Sequence, residues 1–303
     1  MSSRSFIGLF CLTLLLASAL YVAPVARAKD EKLKPEQLIA KHLESIGSPE
    51  VLKAVKTRAT AGVSHISIRV GGQAEMEGSG NIMSDGSALR LSFKFPALNY
   101  PGEQFAFDGS KAFVGQIAPG TRSNLGSFIF MNDELLTEGL MFGTLSTSWA
   151  LLNQSDRQPK LDLNGPKKID GRSLYELKYT PKKRNGNVTT FFYFDAETFR
   201  HVRSQFKAEI VPVQASSSGG GRGGGGRGGG GGGGGGDRND MIRYTITEQF
   251  DDFKQVDGLT LPHSYKLDLS VDSPTGGFVG TWSYAVKQVA NNQPIEKQTF
   301  SLN

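Results

Sequence analysis

Short stretches in which apolar and polar residues alternate, each closed by a turn signal, run through most of this chain and constrain its fold more than any other feature. Leu89, Leu91, Phe93 and Phe95 alternate with Arg90, Ser92 and Lys94. Successive side chains of a strand point to opposite faces, so such a stretch has one apolar and one polar face and suits an antiparallel sheet wet on one side. Ile66, Ile68 and Val70 alternate with His65, Ser67 and Arg69, and Gly71-Gly72 supplies the turn. Phe105 and Phe107 follow, then the turn Asp108-Gly109-Ser110 and a strand from Ala112 to Ile117. Further strands are predicted at Lys160–Ile169, Ser173–Tyr179, Val188–Phe194 and Phe199–Val213, then at Met241–Phe253, Leu259–Val271 and Gly277–Val289. Asp170-Gly171, Asn185-Gly186, Asp195-Ala196-Glu197, Asp257-Gly258 and Ser273-Pro274 mark the turns between them. The count is about eleven strands, in two blocks.

Two regions have a helical period instead. Leu38, Ile39, His42, Leu43 and Ile46 recur at three- and four-residue spacing after Pro35, which predicts a helix over 35–46. Gly47 stops it, Ser48 caps a short second helix with Pro49 in its first turn, and that helix ends near Val55. Between the two strand blocks, Leu125 to Leu152 carries Phe128, Met131, Leu135, Leu136, Leu140, Met141, Leu145, Trp149 and Leu152 at helical spacing. This predicts two short helices hinged near Gly139 or Gly143, lying on the apolar face of the sheet.

Composition matters here mainly for what it hides. Of 38 glycines, 16 fall in the run Gly219–Gly236, interrupted only by Arg222 and Arg227. The global glycine excess is therefore one insertion, and a disordered loop over 215–239 is expected. It sits between two strong strands, so it reads as an elongated hairpin loop within one domain spanning 29–303. A linker between two domains is the alternative, but the three strands beyond it would be marginal alone.

The first 28 residues read as a signal peptide. Arg4 precedes the apolar stretch Phe6 to Val22, and Ala26-Arg27-Ala28 has the small-x-small pattern of a cleavage site, with the cut expected after Ala28. A retained membrane anchor is the competing reading. Export to the periplasm, or otherwise out of the cytoplasm, follows from cleavage. The only cysteine, Cys11, leaves with the leader, so the mature chain has no disulfide, thiolate metal site or cysteine nucleophile. The formal charge of +5 falls to +3 once Arg4 and Arg27 are gone. Clustered Lys/Arg with interleaved aromatics is missing, so nucleic acid is not an expected partner. Lys182-Lys183-Arg184 reads as a solvated hairpin tip. The sequons at Asn153 and Asn187 matter only in a glycosylating pathway.

No motif points to catalysis. His42, His65, His201 and His263 lack a second ligand at metal-binding spacing and read as structural or surface residues. Asp251 and Asp252 are adjacent on a strand and face opposite ways, whereas Glu75 and Glu77 share the solvated face of an edge-like strand. Asp133 with Glu134 and Asp268 with Asp272 complete the carboxylate pairs, none of which is spaced for a known chemistry. Neither G-x-S-x-G nor a P-loop occurs. The chain is expected to be a non-enzymatic monomer without cofactor or metal.

Several phrases carry a family resemblance. Ile39-Ala40-Lys41-His42-Leu43-Glu44-Ser45-Ile46-Gly47, followed by Val51-Leu52-Lys53-Ala54-Val55-Lys56 and a strand with Ala61-Gly62, resembles the N-terminal helix and first strand of the lipoprotein-carrier superfamily, the outer-membrane lipoprotein-sorting proteins of the bacterial envelope. Phe107-Asp108-Gly109-Ser110-Lys111-Ala112-Phe113, Tyr193-Phe194-Asp195-Ala196-Glu197-Thr198-Phe199 and Val256-Asp257-Gly258-Leu259-Thr260-Leu261-Pro262-His263 are similar to further phrases of that group. The resemblance implies an α+β, mostly β fold: one large curved antiparallel sheet, a half-open barrel of about 11 strands capped by short helices over a hydrophobic cavity. It also implies a carrier or sensor of lipoprotein acyl chains or other lipid-like amphiphiles. Leu91, Phe93, Phe95, Phe105 and Phe107 are then expected to line the sheet side of the cavity, and Met131, Leu135, Met141 and Trp149 its lid. An envelope protein-interaction module with a packed core is the alternative, with membrane proteins as partners; a hydrolase built from scattered carboxylates is a third.

Overall fold

A computed structural model of the chain describes residues 33–69, 73–152, 154–183, 186–210, 241–274 and 276–302. The expected signal peptide with its cut after Ala28, the Gly71-Gly72 turn, Asn153, Arg184-Asn185 and the glycine-rich loop at 215–239 lie outside the described residues.

Helices α1 (Pro35–Ile46) and α2 (Pro49–Ala54) come first. Strands β1 (Thr57–Arg69), β2 (Gln73–Asp85), β3 (Ala88–Lys94), β4 (Gly102–Phe107) and β5 (Ala112–Val114) follow. A long crossing segment then holds α3 (Asn124–Met131), α4 (Glu134–Thr137), a 3-10 turn at Gly143–Leu145, and α5 (Gln154–Arg157). Next come β6 (Lys160–Ile169), β7 (Arg172–Thr180), β8 (Thr189–Asp195), β9 (His201–Ile210), β10 (Ile242–Val256), β11 (Leu259–Ser273) and β12 (Gly276–Asn291).

All twelve strands form one antiparallel sheet in the order β5-β4-β3-β2-β1-β12-β11-β10-β9-β8-β7-β6, one strand more than the sequence count. The chain starts in the middle of the sheet and walks by hairpins to one edge. It then crosses to the opposite edge and walks back until β12 pairs with β1. The sheet is curved and does not close, because β5 and β6 are not paired with each other. Turn residues set the hairpins as their types require. Asp170 and Gly171 (φ 50° and 81°) and Asp257 and Gly258 (φ 50° and 78°) place both central residues in the left-handed region, the geometry that two-residue hairpins need to match strand twist.

Since the crossing segment joins the two edge strands, it has to traverse the whole inner face. Leu125, Phe128, Ile129, Leu135, Leu136, Leu140, Met141, Phe142, Leu145 and Trp149 are all buried there. The two helices predicted for this region are instead shorter pieces separated by bends. Gly139, Phe142 and Gly143 have φ of 61°, 70° and 47°, outside the helical region. A Cβ at Gly139 would also stand 2.1 Å from the Ser148 carbonyl oxygen, so that bend is reserved for glycine. Helical spacing of the apolar residues marks burial at all of them except Met131 and Leu152, but the bends needed to follow a curved sheet break the helix.

Candidate functional site

The inner face is filled. On β3 and β4, Leu91, Phe93, Phe105 and Phe107 lie among the core residues together with Phe95, which follows β3. Leu135, Met141 and Trp149 from the crossing segment belong to the same cluster. These eight of the nine residues singled out in the sequence are thus brought together. Met131 is not: it ends α3, whose buried face is Leu125, Phe128 and Ile129, and it is 51% exposed beside Phe130.

Polar groups interrupt this core at two places. Glu103 shares its strand face with Phe105 and Phe107, so alternation alone carries it inside. It accepts the Tyr100 hydroxyl at 2.5 Å, and Tyr100 in turn accepts the Trp282 indole N–H at 2.8 Å. Burial pushes the Glu103 carboxyl up to about 7, against the hydrogen bonds from Ser123 and Tyr100. Glu248 shares its face with Ile246 and Phe250 and accepts the Phe142 backbone N–H at 2.8 Å and the Tyr265 hydroxyl at 2.9 Å. Burial raises it to about 7 as well, opposed by Phe142, Ser204 and Tyr265.

Next to Glu248 lies an aromatic cluster around two histidines. The His201 ring stacks on Trp149 with centroids 4.6 Å apart, and the His42 ring lies 6.3 Å from His201. His42 Nδ1 is 2.9 Å from the Phe199 carbonyl, which assigns the proton to Nδ1. Desolvation lowers His42 to about 4 and His201 well below the usual imidazole value. Ser204 Oγ is 3.2 Å from His201 Nε2, which brings a serine, a histidine and a glutamate together. All three are at most 2% exposed, and the serine, not the imidazole, sits between the other two. That order is not the one by which a base activates a nucleophile.

The other sequence candidates are dispersed. His65 faces Glu77 at 3.7 Å on the exposed face, and His263 Nδ1 is 3.1 Å from the Leu261 carbonyl. Glu75 and Glu77 lie where β2 pairs with β1 alone, since β3 reaches only Ser79. Asp251 and Asp252 are both exposed, because Asp252 takes φ 51° and interrupts the alternation expected of a regular strand. Glu134 is buried, whereas Asp133 is exposed. No group of three or more metal-ligating side chains occurs among the described residues.

Space for a ligand opens elsewhere, at the end of the sheet where α1 and α2 pack. A groove of about 580 Å3 runs between Ala40, Leu43, Glu44 and Gly47 on one side and Thr147, Leu152 and Leu259 on the other. Pro49, Leu52, Lys53, Val55, Lys56, Arg58 and Gly86 complete it. The local sequence explains the opening. Helix α2 is apolar at Val51 and Leu52 yet too short to bury a full face, and its residues are only partly covered by Ile46, Leu259 and Leu261. Arg58, at the start of β1, points inward and is 4% exposed. Its Nε donates to Asn291 Oδ1 at 3.0 Å and its Nη1 to the Thr144 carbonyl. Asn291 is held in turn by Asp257, at 3.0 Å. Burial lowers the Arg58 guanidinium to about 10, with the Asp257 charge acting the other way. No helix among the described residues is long and apolar enough to cross a membrane.

No protein-family model and no curated protein matches the sequence. Among solved structures, the chain is similar to a LolA superfamily protein from Nitrosomonas europaea, at 13% identity and a TM-score of 0.43, over 88% of this chain and 97% of that one. It is also similar to a DUF1329 family protein from Desulfovibrio piger (11% identity, TM-score 0.39, covering 88% and 96%). An outer membrane lipoprotein-sorting protein domain from Vibrio parahaemolyticus aligns at 10% identity and a TM-score of 0.38, covering 86% and 97%.

Proposed function

We propose that this chain is an exported, non-enzymatic binding protein that takes up the apolar chain of a lipid-like amphiphile, such as a lipoprotein acyl chain. The groove carries the reading. Its volume falls within the range of about 300–1,000 Å3 usual for small-ligand sites, and Leu43, Leu52, Val55, Leu152 and Leu259 give it the apolar wall such sites have. A periplasmic site of action rests on the signal-peptide reading of residues 1–28. Ligand contact with Leu91, Phe93, Phe95, Phe105, Phe107, Leu135, Met141 and Trp149 is a further part of the proposal, and it requires the crossing segment to lift from the sheet.

Purified mature protein should release lipid on organic extraction, detected by mass spectrometry, and should take up a fluorescent fatty acid. Leu52→Glu, at a half-buried groove position, should abolish uptake while leaving the fold intact. Failure to yield or take up any lipid would remove the carrier reading. It would leave the second one, an envelope protein-interaction module, which the filled inner face favours.

A further inference from the structure

The charges around the groove are unbalanced. Lys53, Lys56 and Arg58 line it against a single acid, Glu44. Lys53 has Glu50 beside it outside the groove, and Asp257 stands behind Arg58 through Asn291. The Lys56 ammonium makes no hydrogen bond or ion pair among the described residues; its backbone N–H donates to Asn292 Oδ1 at 2.9 Å and its carbonyl accepts the Gly86 N–H at 3.3 Å. Arg58 is the more informative group. It is 4% exposed in a groove wall; Nε and Nη1 have partners, and Nη2 has none among the described residues. Nη2 is not among the buried atoms left without a partner, so the groove reaches it, and a flat guanidinium fork fits a carboxylate or a phosphate.

We propose that the groove selects an anionic amphiphile, with the carboxylate or phosphate on Arg58 and Lys56 and the acyl chain along Leu43, Leu52, Val55 and Leu152. This rests on the reading of the groove as an amphiphile site and adds the chemistry of the head group. The anion replaces water as the acceptor for Arg58 Nη2 and offsets the excess of cations, and the apolar wall takes the tail. A neutral amphiphile of equal length gains only the second part.

The test compares palmitate, palmitoyl lysophosphatidate, monopalmitoylglycerol and hexadecanol as competitors for a fluorescent fatty acid bound to the mature protein. Both anions should compete at least tenfold better than both neutral compounds, and raising the salt concentration should narrow the gap. A preference for palmitate over lysophosphatidate, or the reverse, would tell which head group the site takes. Lys56→Gln, at an exposed position, should weaken the anions several-fold and leave the neutral compounds unchanged. Arg58→Gln should remove the preference altogether. If that variant fails to fold, Lys56→Gln and the salt dependence still decide. Equal competition by anionic and neutral compounds would overturn the proposal while leaving amphiphile binding in place. No competition by any of the four would overturn both.

Discussion

The Glu248 carboxylate on β10 holds the backbone N–H of Phe142 at 2.8 Å, at the point where the segment crossing the inner face turns through left-handed backbone. The contact fastens the middle of that segment to the sheet and places a carboxyl in the core. Glu248 retains its proton to about pH 7 when folded but only to about 4.5 when unfolded. The folded state therefore binds the extra proton between those values, and its advantage falls as pH rises through that window. Glutamine keeps an oxygen for Phe142 and Tyr265 without titrating. Glu248→Gln should gain about 2 to 3 kcal/mol on the wild type between pH 5 and pH 8. Urea unfolding at both pH values measures it; parallel profiles would show that the carboxyl does not titrate in the fold.

His42 gives the opposite limb. Its imidazole is neutral in the fold down to about pH 4, whereas the unfolded chain protonates near 6.5. The unfolded state then binds the extra proton, so stability is lost as pH falls from 6.5 to 4, by about 3 kcal/mol. His42→Leu loses the hydrogen bond to the Phe199 carbonyl and should be weaker than the wild type at pH 7. It should nonetheless decline less on acidification, as thermal melts at pH 7, 5.5 and 4.5 would report. An unchanged acid limb would place the proton uptake on other groups.

Much of this arrangement was legible in the chain. Alternation placed Leu89 to Phe95 on the inner face, and the Asp-Gly pairs marked hairpins that the structure forms. Glu103 and Glu248 could have been found by the same parity, since each stands two residues before a phenylalanine on the apolar side of its strand. The meeting of His42 with His201 could not, because it depends on a helix and a strand far apart in sequence packing on one spot. The groove has no such signature either. Its residues come from α1, α2, β1, the β2–β3 turn, the crossing segment and β11, and no local pattern records a space left between them. Its nearest local signal was α2 itself, apolar but too short to be buried.

Gly139 tests whether the crossing segment depends on its bends. Its φ of 61° disfavours any Cβ, and the Ser148 carbonyl would lie 2.1 Å from one. Its own carbonyl accepts the Ala150 N–H at 2.8 Å, so backbone relief would break that bond. Gly139→Ala should cost more than about 1–3 kcal/mol, the usual cost of a strained backbone residue, because the clash adds to it. A denaturant midpoint close to that of the wild type would mean the segment can relocate freely over the sheet.

Trp149 and Met131, both expected from the sequence to cap a cavity, should behave very differently. Trp149 is fully buried, stacked on His201 and edge-on to Phe192 with ring centroids 5.7 Å apart. Removing its ring should cost about 3–5 kcal/mol, as large-to-small changes in packed cores do. Met131 is half exposed on α3, so Met131→Ala should stay within about 0.5 kcal/mol of the wild type. Equilibrium unfolding of the two single variants reads the contrast. Should Trp149→Ala prove nearly neutral, the segment would already be loosely seated, and the inner face would open to a ligand at little cost. A large loss would confine ready binding to the groove beside α1 and α2, leaving the inner face as the structural core.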